Sequence, residues 1–317
     1  MRKNILKNKS ISIATSVIRA VFLISLAFIV IYPIIFMIAN SVKITSDTLN
    51  PAVKWFSLSP TVYSYQVAFM AMDYMKSLFI TFSFGLVSAF LEIAMCAVYA
   101  YGLARFNFKF KRILMVFLII SILVPDIMLI IPRVLNFRYM DFFGILGLIN
   151  KLTGVDLRID ITDTVFTFYI PSLLGVGLKG GLFIYIYMQF FKGLPVELEE
   201  AAWIDGAGPI KTFLSIIIPS SLTVILTVSV FAFIWHWNDW LLATMYTTDN
   251  HTLSYMLKNI DTYIGQLWSN KLINTDPSTY YGAPLAGCLL FIAPPMIIYI
   301  FIQKYFIESI DRVGIVG

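Results

Sequence analysis

Three charged residues stand inside long apolar runs of this sequence: Glu92, Asp126 and Lys179. An ionised side chain at mid-bilayer depth costs at least about 2.5–3.5 kcal/mol on an insertion scale, so such residues face a bundle interior or an aqueous path. Glu92 and Lys179 each fall near the middle of a run, and Asp126 near the end of another. The first two are read as lining or bracing a polar path, and as a candidate pair. Two roles stay open: contact with a solute, the lysine donating hydrogen bonds to a hydroxylated or acidic molecule, or a structural ion pair away from it. The string Phe233-Ile-Trp235-His-Trp237-Asn238-Asp239-Trp240 is the next cluster. It is either an aromatic belt at the membrane interface or an outer gate at which Asn238 and Asp239 meet solute.

Other chemistries lack their residues. His236 and His251 have no second His, Cys or carboxylate at ligand spacing, so no metal is expected. Cys96 and Cys288 lie in apolar runs and read as small buried hydrophobes. Lys211-Thr212 follows Ile210 where a phosphate-cradling loop needs glycine, so the chain is not expected to bind or hydrolyse ATP. No catalytic residue, enzymatic activity or cofactor is expected. The net charge of +5 sits largely at the edges of apolar runs and forms no aromatic-interleaved basic patch, which speaks against nucleic acid.

The elements that must position these residues are membrane helices. The 317 residues are 59% hydrophobic and 13% charged, about half the charge of a soluble domain. About 20 apolar residues cross the hydrocarbon, and runs of that length must be helical so that every backbone group is paired. Six spans are expected: 20–42, 77–104, 113–131, 165–191, 218–245 and 283–303. The first is too long for a signal-peptide core and reads as a retained signal anchor. Lys and Arg number five in residues 1–19 and four in the tight loop 105–112, with no acid in either. The positive-inside rule then places both termini in the cytoplasm, and membrane lipid surrounds the rest. Gly177-Leu-Lys-Gly-Gly181 fits a small-residue helix-packing pattern.

Between the fourth and fifth spans lies a charged island, Pro195-Val-Glu-Leu-Glu-Glu-Ala-Ala-Trp-Ile-Asp-Gly-Ala-Gly-Pro209, running on to Pro219. Pro195 suits a first helical turn, three glutamates favour the helix N-terminus, and Gly206 to Pro209 stops the helix, so two short helices with a break are expected. Ala201, Ala202, Gly206 and Ala207 leave a thin surface that a partner can approach closely. Glu200-Ala201-Ala202, three residues, Gly206, nine residues, Ile216, one residue and Ile218-Pro219 resembles the EAA loop of ABC importer permeases, with Ile218 where Leu is commoner. Asp205-Gly206-Ala207 is similar to the carbohydrate-uptake branch, and Tyr101-Gly-Leu-Ala-Arg105-Phe-Asn-Phe and the tail 301–317 resemble segments of maltose-type second permeases.

The resemblance implies an all-α, six-span permease of the type I ABC importer fold. Residues 1–76 would form the N-terminal flank, first span and outer loop, and 77–317 the permease core with its cytoplasmic coupling loop at 192–218. It implies coupling to ATPase subunits through Glu200, Ala201, Ala202, Asp205, Gly206, Ala207 and Pro219. The implied partners are a second permease in a heterodimer, two ABC ATPase subunits and an extracytoplasmic solute-binding protein, and the implied place is the cell membrane of a bacterium. The implied cargo is a sugar or oligosaccharide. A proton-coupled carrier using Glu92, Asp126 and Lys179, and a membrane scaffold without transport, are the rival readings.

Overall fold

A computed structural model describes the backbone at 2–141, 144–249, 251–273 and 277–314, and the side chains there apart from 2–14, 45, 277–280 and 305–314. Among the described residues no strand forms, and one isolated bridge joins Met140 to Ile159. Ten helices matter below: α1 (Arg2–Ser41), α2 (Tyr74–Arg105), α3 (Lys111–Leu123), α4 (Asp126–Arg138), α5 (Phe166–Leu173), α6 (Gly180–Gly193), α7 (Glu197–Ile204), α8 (Pro209–Ser220), α9 (Leu222–Asn238) and α10 (Pro277–Gly314). The chain divides into two units, one of residues 1–72 and 259–293, the other of residues 73–258 and 294–317.

In the first unit α1 carries a 27-residue apolar stretch, Thr15–Ser41, exposed over most of its length, with Ser41 at its end buried. That is the surface lipid or a partner covers. Its C-terminal end is tied to the short helix Tyr63–Ala71 by Ser41 Oγ and the Tyr65 hydroxyl at 2.9 Å. The following loop folds around Asp47, whose carboxylate accepts hydrogen bonds from Ser57 Oγ at 2.6 Å and the Leu58 amide at 2.7 Å. The Ser57 hydroxyl and the backbone amides of Ser59 and Leu58 hold this carboxyl below its ordinary range.

The second unit is built on α2, a 32-residue helix. Ala89, Cys96, Ala97 and Ala100 give it a face of small residues, and α6 lies on that face with Phe183, Tyr187 and Phe191 fully buried at intervals of four. Apolar burial adds little to helix association in lipid, so close packing of small against aromatic side chains carries this contact.

Three of the expected spans are interrupted. Pro125 disfavours a helical residue before it, Val124 is extended, and the third span bends by 106° between α3 and α4. The fifth bends by 81° near its start, between α8 and α9, and α9 ends at Asn238, short of the expected 245. The fourth was expected as one continuous helix; it is α5 and α6 separated by a turn at 174–179. Gly175 (φ +68°) and Lys179 (φ +67°) are left-handed there. The turn pairs its own backbone, with the Val176 amide donating to Pro171 O at 2.9 Å and the Gly175 amide to Ser172 O at 3.1 Å. This is how a broken helix is tolerated at membrane depth. Gly177 to Gly181 therefore forms this turn and the first residues of α6, and not the continuous small-residue helix stripe expected from its spacing.

Candidate functional site

The charges in the spans pair differently from the expected Glu92–Lys179 couple. Glu92 on α2 is fully buried, and its Oε2 lies 2.8 Å from His236 Nε2 on α9. Lys179 Nζ meets Asp126 Oδ2, joining the turn at 174–179 to the first residue of α4. Sequence spacing could not have chosen these partners, because the residues are 144 and 53 positions apart.

Glu92 sits where the broken span comes closest. Its Oε1 has no hydrogen-bond partner among the described residues. A Cβ added to Gly177 would stand 2.8 Å from that oxygen and 2.9 Å from Ser172 Oγ, and one added to Gly180 would stand 3.0 Å from it. Glycine at both positions lets the turn and the start of α6 close over the carboxyl. Lys179 has a side chain in a conformation that costs an L-residue about 1–2 kcal/mol, and such strain persists only where surrounding contacts over-determine it.

Asp126, Lys179 and Arg133 border a cavity of about 1000 Å³ within the second unit, lined otherwise mostly by apolar and aromatic side chains such as Tyr99, Phe117 and Trp235. Arg133 was not singled out in the sequence. Its signal was the interval of seven from Asp126, which places both on one face of α4.

Asn238 and Asp239 do not line this cavity; Asp239 lines a smaller one with Arg133, His236 and Tyr246. The exposed Asn238 bonds the Ile234 carbonyl at 2.8 Å, and Asp239 Oδ1 accepts the Leu242 amide at 3.0 Å. The three tryptophans beside them do not act as one belt. Trp237 is 3% exposed and packs edge-on against Phe82, whereas Trp240 is 40% exposed and stands beneath Lys258.

The charged island folds as two short helices with a break, as its residues required. The Gly206 amide bonds Trp203 O at 3.0 Å and the Ala207 amide bonds Ala202 O at 2.9 Å, with Gly206 at φ +77°. This is a Schellman closure, which needs a left-handed residue just past the helix end. Nothing lies within 4 Å of a Cβ built on Gly206. Glu200, Ala201, Asp205 and Gly206 are exposed, Ala202 is buried, Ala207 is half-buried, and Pro219 on α8 is exposed. Trp203, Ile204 and Ile210 add an apolar surface, Ile204 at 86% exposure.

What roots this exposed helix was missed in the sequence. Glu199, one residue before the EAA triplet, is 1% exposed; its Oε1 pairs with Arg105 Nε at 2.5 Å and its Oε2 accepts the Tyr101 hydroxyl at 3.1 Å. Arg105 also donates to Leu194 O at 2.8 Å. The end of α2 is thereby tied to both ends of the segment that leads into α7.

Comparisons with known proteins converge. The profile of the family described as "Binding-protein-dependent transport system inner membrane component" matches residues 93–312, well over half of the chain. The chain is 26% identical over 236 residues to the sulfoquinovosyl glycerol transport system permease protein SmoH of Agrobacterium fabrum, covering 74% of this chain and 75% of that one. It is 27% identical to the diacetylchitobiose uptake system permease protein NgcG of Streptomyces coelicolor, covering 92% and 85% respectively. Its fold is similar to that of a chain in the crystal structure of a bacterial ABC transporter involved in the import of the acidic polysaccharide alginate. That match has a TM-score of 0.69 and 20% identity, over 92% of this chain and 96% of the other.

Proposed function

Because the chain belongs to the family of binding-protein-dependent transport system inner membrane components, it is a permease subunit of an ABC importer, and we propose that its cargo is a sugar or oligosaccharide. Family membership makes it a membrane component that works with ATPase and binding-protein partners, and sets aside the proton-coupled reading. Carbohydrate cargo is supported by Asp205-Gly206-Ala207 and by relatives such as SmoH and NgcG, whose names specify glycoside and amino-sugar uptake.

The assembly is a heterodimer of this chain with a second permease, carrying two ATPase subunits on the cytoplasmic side, where both termini also lie. Residues 77–317 form the core, and 1–76 add a flanking span and outer loop. Glu200, Ala201, Asp205, Gly206 and Ala207 form the surface seated on an ATPase subunit, with the buried Ala202 packed beneath it, and Pro219 marks the return into the membrane. Glu92, Lys179, Asn238 and Asp239 belong to the path or brace it.

The observation that carries the coupling role is the combination of an exposed, Schellman-closed α7 with a buried ionic root. A helix of eight residues is marginal alone. Held by Glu199 to Arg105, it can pass movement of a bound ATPase to α2, which also carries Glu92. Coupling needs the ATPase to contact α7 differently in its two states. The test is uptake and membrane insertion of Gly206→Asp and Glu200→Lys: both should insert and lose transport, and wild-type uptake in both variants would end this reading.

A further inference from the structure

We propose that the short helix Ile145–Thr153, in the connection between α4 and α5, is an interfacial anchor whose apolar face lies in the headgroup–acyl boundary of the bilayer. The role is separate from cargo passage and from ATPase coupling. Ile145, Leu148, Ile149 and Leu152 stand at i, i+3, i+4 and i+7, the spacing of one helix face, and Asn150 and Lys151 fall on the other side. No residue of the helix is buried, and Leu152 is 76% exposed. A nine-residue helix is marginal alone in water, so its apolar face needs a cover.

The fold fixes where that cover must be. The Met140 amide donates to Ile159 O at 3.0 Å and the Ile159 amide to Met140 O at 3.3 Å, while the Ile161 amide donates to Phe137 O at 2.9 Å in the last turn of α4. Residues 141–158 therefore begin and end at one point, where Arg138 and Tyr139 succeed the apolar run of α4. The Asp141 carboxylate accepts the Leu146 amide at 2.8 Å and the Gly147 amide at 2.9 Å, which pins the start of the anchor there. A Cβ on Gly147 would stand 2.6 Å from Asp141 Oδ2, so glycine permits this approach. On α4 itself Ile127, Ile131 and Leu135 are exposed at i, i+4 and i+8. The apolar surface of the span thus continues into the connection.

Charge and permanence select lipid over protein. The helix carries no acid and one base, the exposed Lys151 on its polar side. Beside it the Arg158 guanidinium, held by Asp156 at 2.8 and 2.6 Å, lies over the exposed Tyr139 ring, 5.0 Å from its centroid. Lysine, arginine and tyrosine around an apolar stripe suit a membrane interface. A solute-binding protein docks and leaves, which would return the stripe to water in every cycle, whereas the bilayer is always present. The tether at Asp141 and Met140 makes insertion intramolecular, so a helix this short can hold. In the topology proposed above, the leaflet is the outer one.

The test uses the complete importer in proteoliposomes, with Leu148→Cys, Leu152→Cys or Lys151→Cys carrying a bimane label and the signal of the identically treated parent importer subtracted. Lipids brominated near the headgroup should quench the labels at 148 and 152 strongly and the label at 151 weakly, and aqueous iodide should do the reverse. Iodide quenching of all three alike would overturn the anchor. So would labels at 148 and 152 that neither quencher reaches, the mark of a protein cover, or that escape iodide only once the solute-binding protein is added. A second measurement needs no label: amides 146–153 should lose protection from hydrogen exchange when Leu148→Asp and Leu152→Asp are combined, and unchanged protection would equally refute the proposal.

Discussion

Replacing Glu199 by alanine should undock α7 from α2 without unfolding the membrane core. Arg105 and Glu199 have side chains 10% and 1% exposed, and removing one partner of a buried pair costs about 3–5 kcal/mol because the other charge is left uncompensated. Arg105 would keep its hydrogen bond to Leu194 O and lies in the last turn of α2, where the helix dipole favours a cation. Both features place the cost near the lower bound, about 3 kcal/mol. Tyr101→Phe removes one hydrogen bond to a charged acceptor and leaves the ion pair, so it should cost about 1.5 kcal/mol. At about 1.4 kcal/mol per decade, these are roughly 100-fold and tenfold increases in the undocked population. Undocked, an eight-residue helix frays, so hydrogen exchange of 197–204 in the assembled transporter reports the equilibrium directly. Protection should fall by about those factors, and solute-stimulated ATP hydrolysis should uncouple in the same order. A change below about threefold in Glu199→Ala, or a larger loss in Tyr101→Phe, would refute the view that this buried pair roots the coupling helix.

Three further outcomes follow from the same geometry. Gly177→Ala should destabilise the transporter by about 1–3 kcal/mol, as overpacking does, because its methyl would press on Glu92 Oε1 and Ser172 Oγ; thermal melting of the purified complex measures this, and Glu92→Ala in the same chain should recover part of the loss. Lys179→Gly should relieve about 1–2 kcal/mol of left-handed strain while removing the partner of Asp126. Melting should hold or rise while uptake falls, and unchanged uptake would remove Lys179 from the path. Asp47 has a folded pKa below its ordinary 3.8, so its contribution to the 57–59 loop is present above about pH 4 and is lost as the pH falls through the depressed value. Exchange of the Leu58 and Ser59 amides should be slow from neutral pH down to about that point and then accelerate, and Asp47→Ala should leave them fast throughout.

Much of the molecule was legible because its determinants are local. Apolar runs of spanning length lie in consecutive residues, and the break at Gly206 follows from a left-handed position that glycine occupies without strain. The EAA spacing sits within one turn-linked segment, so its residues share a neighbourhood whatever the rest of the chain does. Glu92, Lys179 and Asp126 were recognised as exceptional for a local reason too, since a charge in an apolar run is costly wherever the run packs.

The pairing of those charges was decided by the tertiary structure. Lys179 meets Asp126 because a 106° bend after Val124 and a turn at 174–179 redirect the chain that carries them, and Glu92 meets His236 where α2 packs on α9. Hydropathy sums over a window and is insensitive to such a break: Val165 to Phe191 scores as one span whether or not Gly175 and Lys179 are left-handed. Arg133 looked like a loop residue until α4 continued the helix past Pro132, and Glu199 looked like one more acid at a helix N-terminus until α2 buried it. Residues adjacent in sequence determine which helices form and where they stop. Side chains many turns apart meet only once the helices pack, and those meetings give this permease both its charged cavity and the root of its coupling helix.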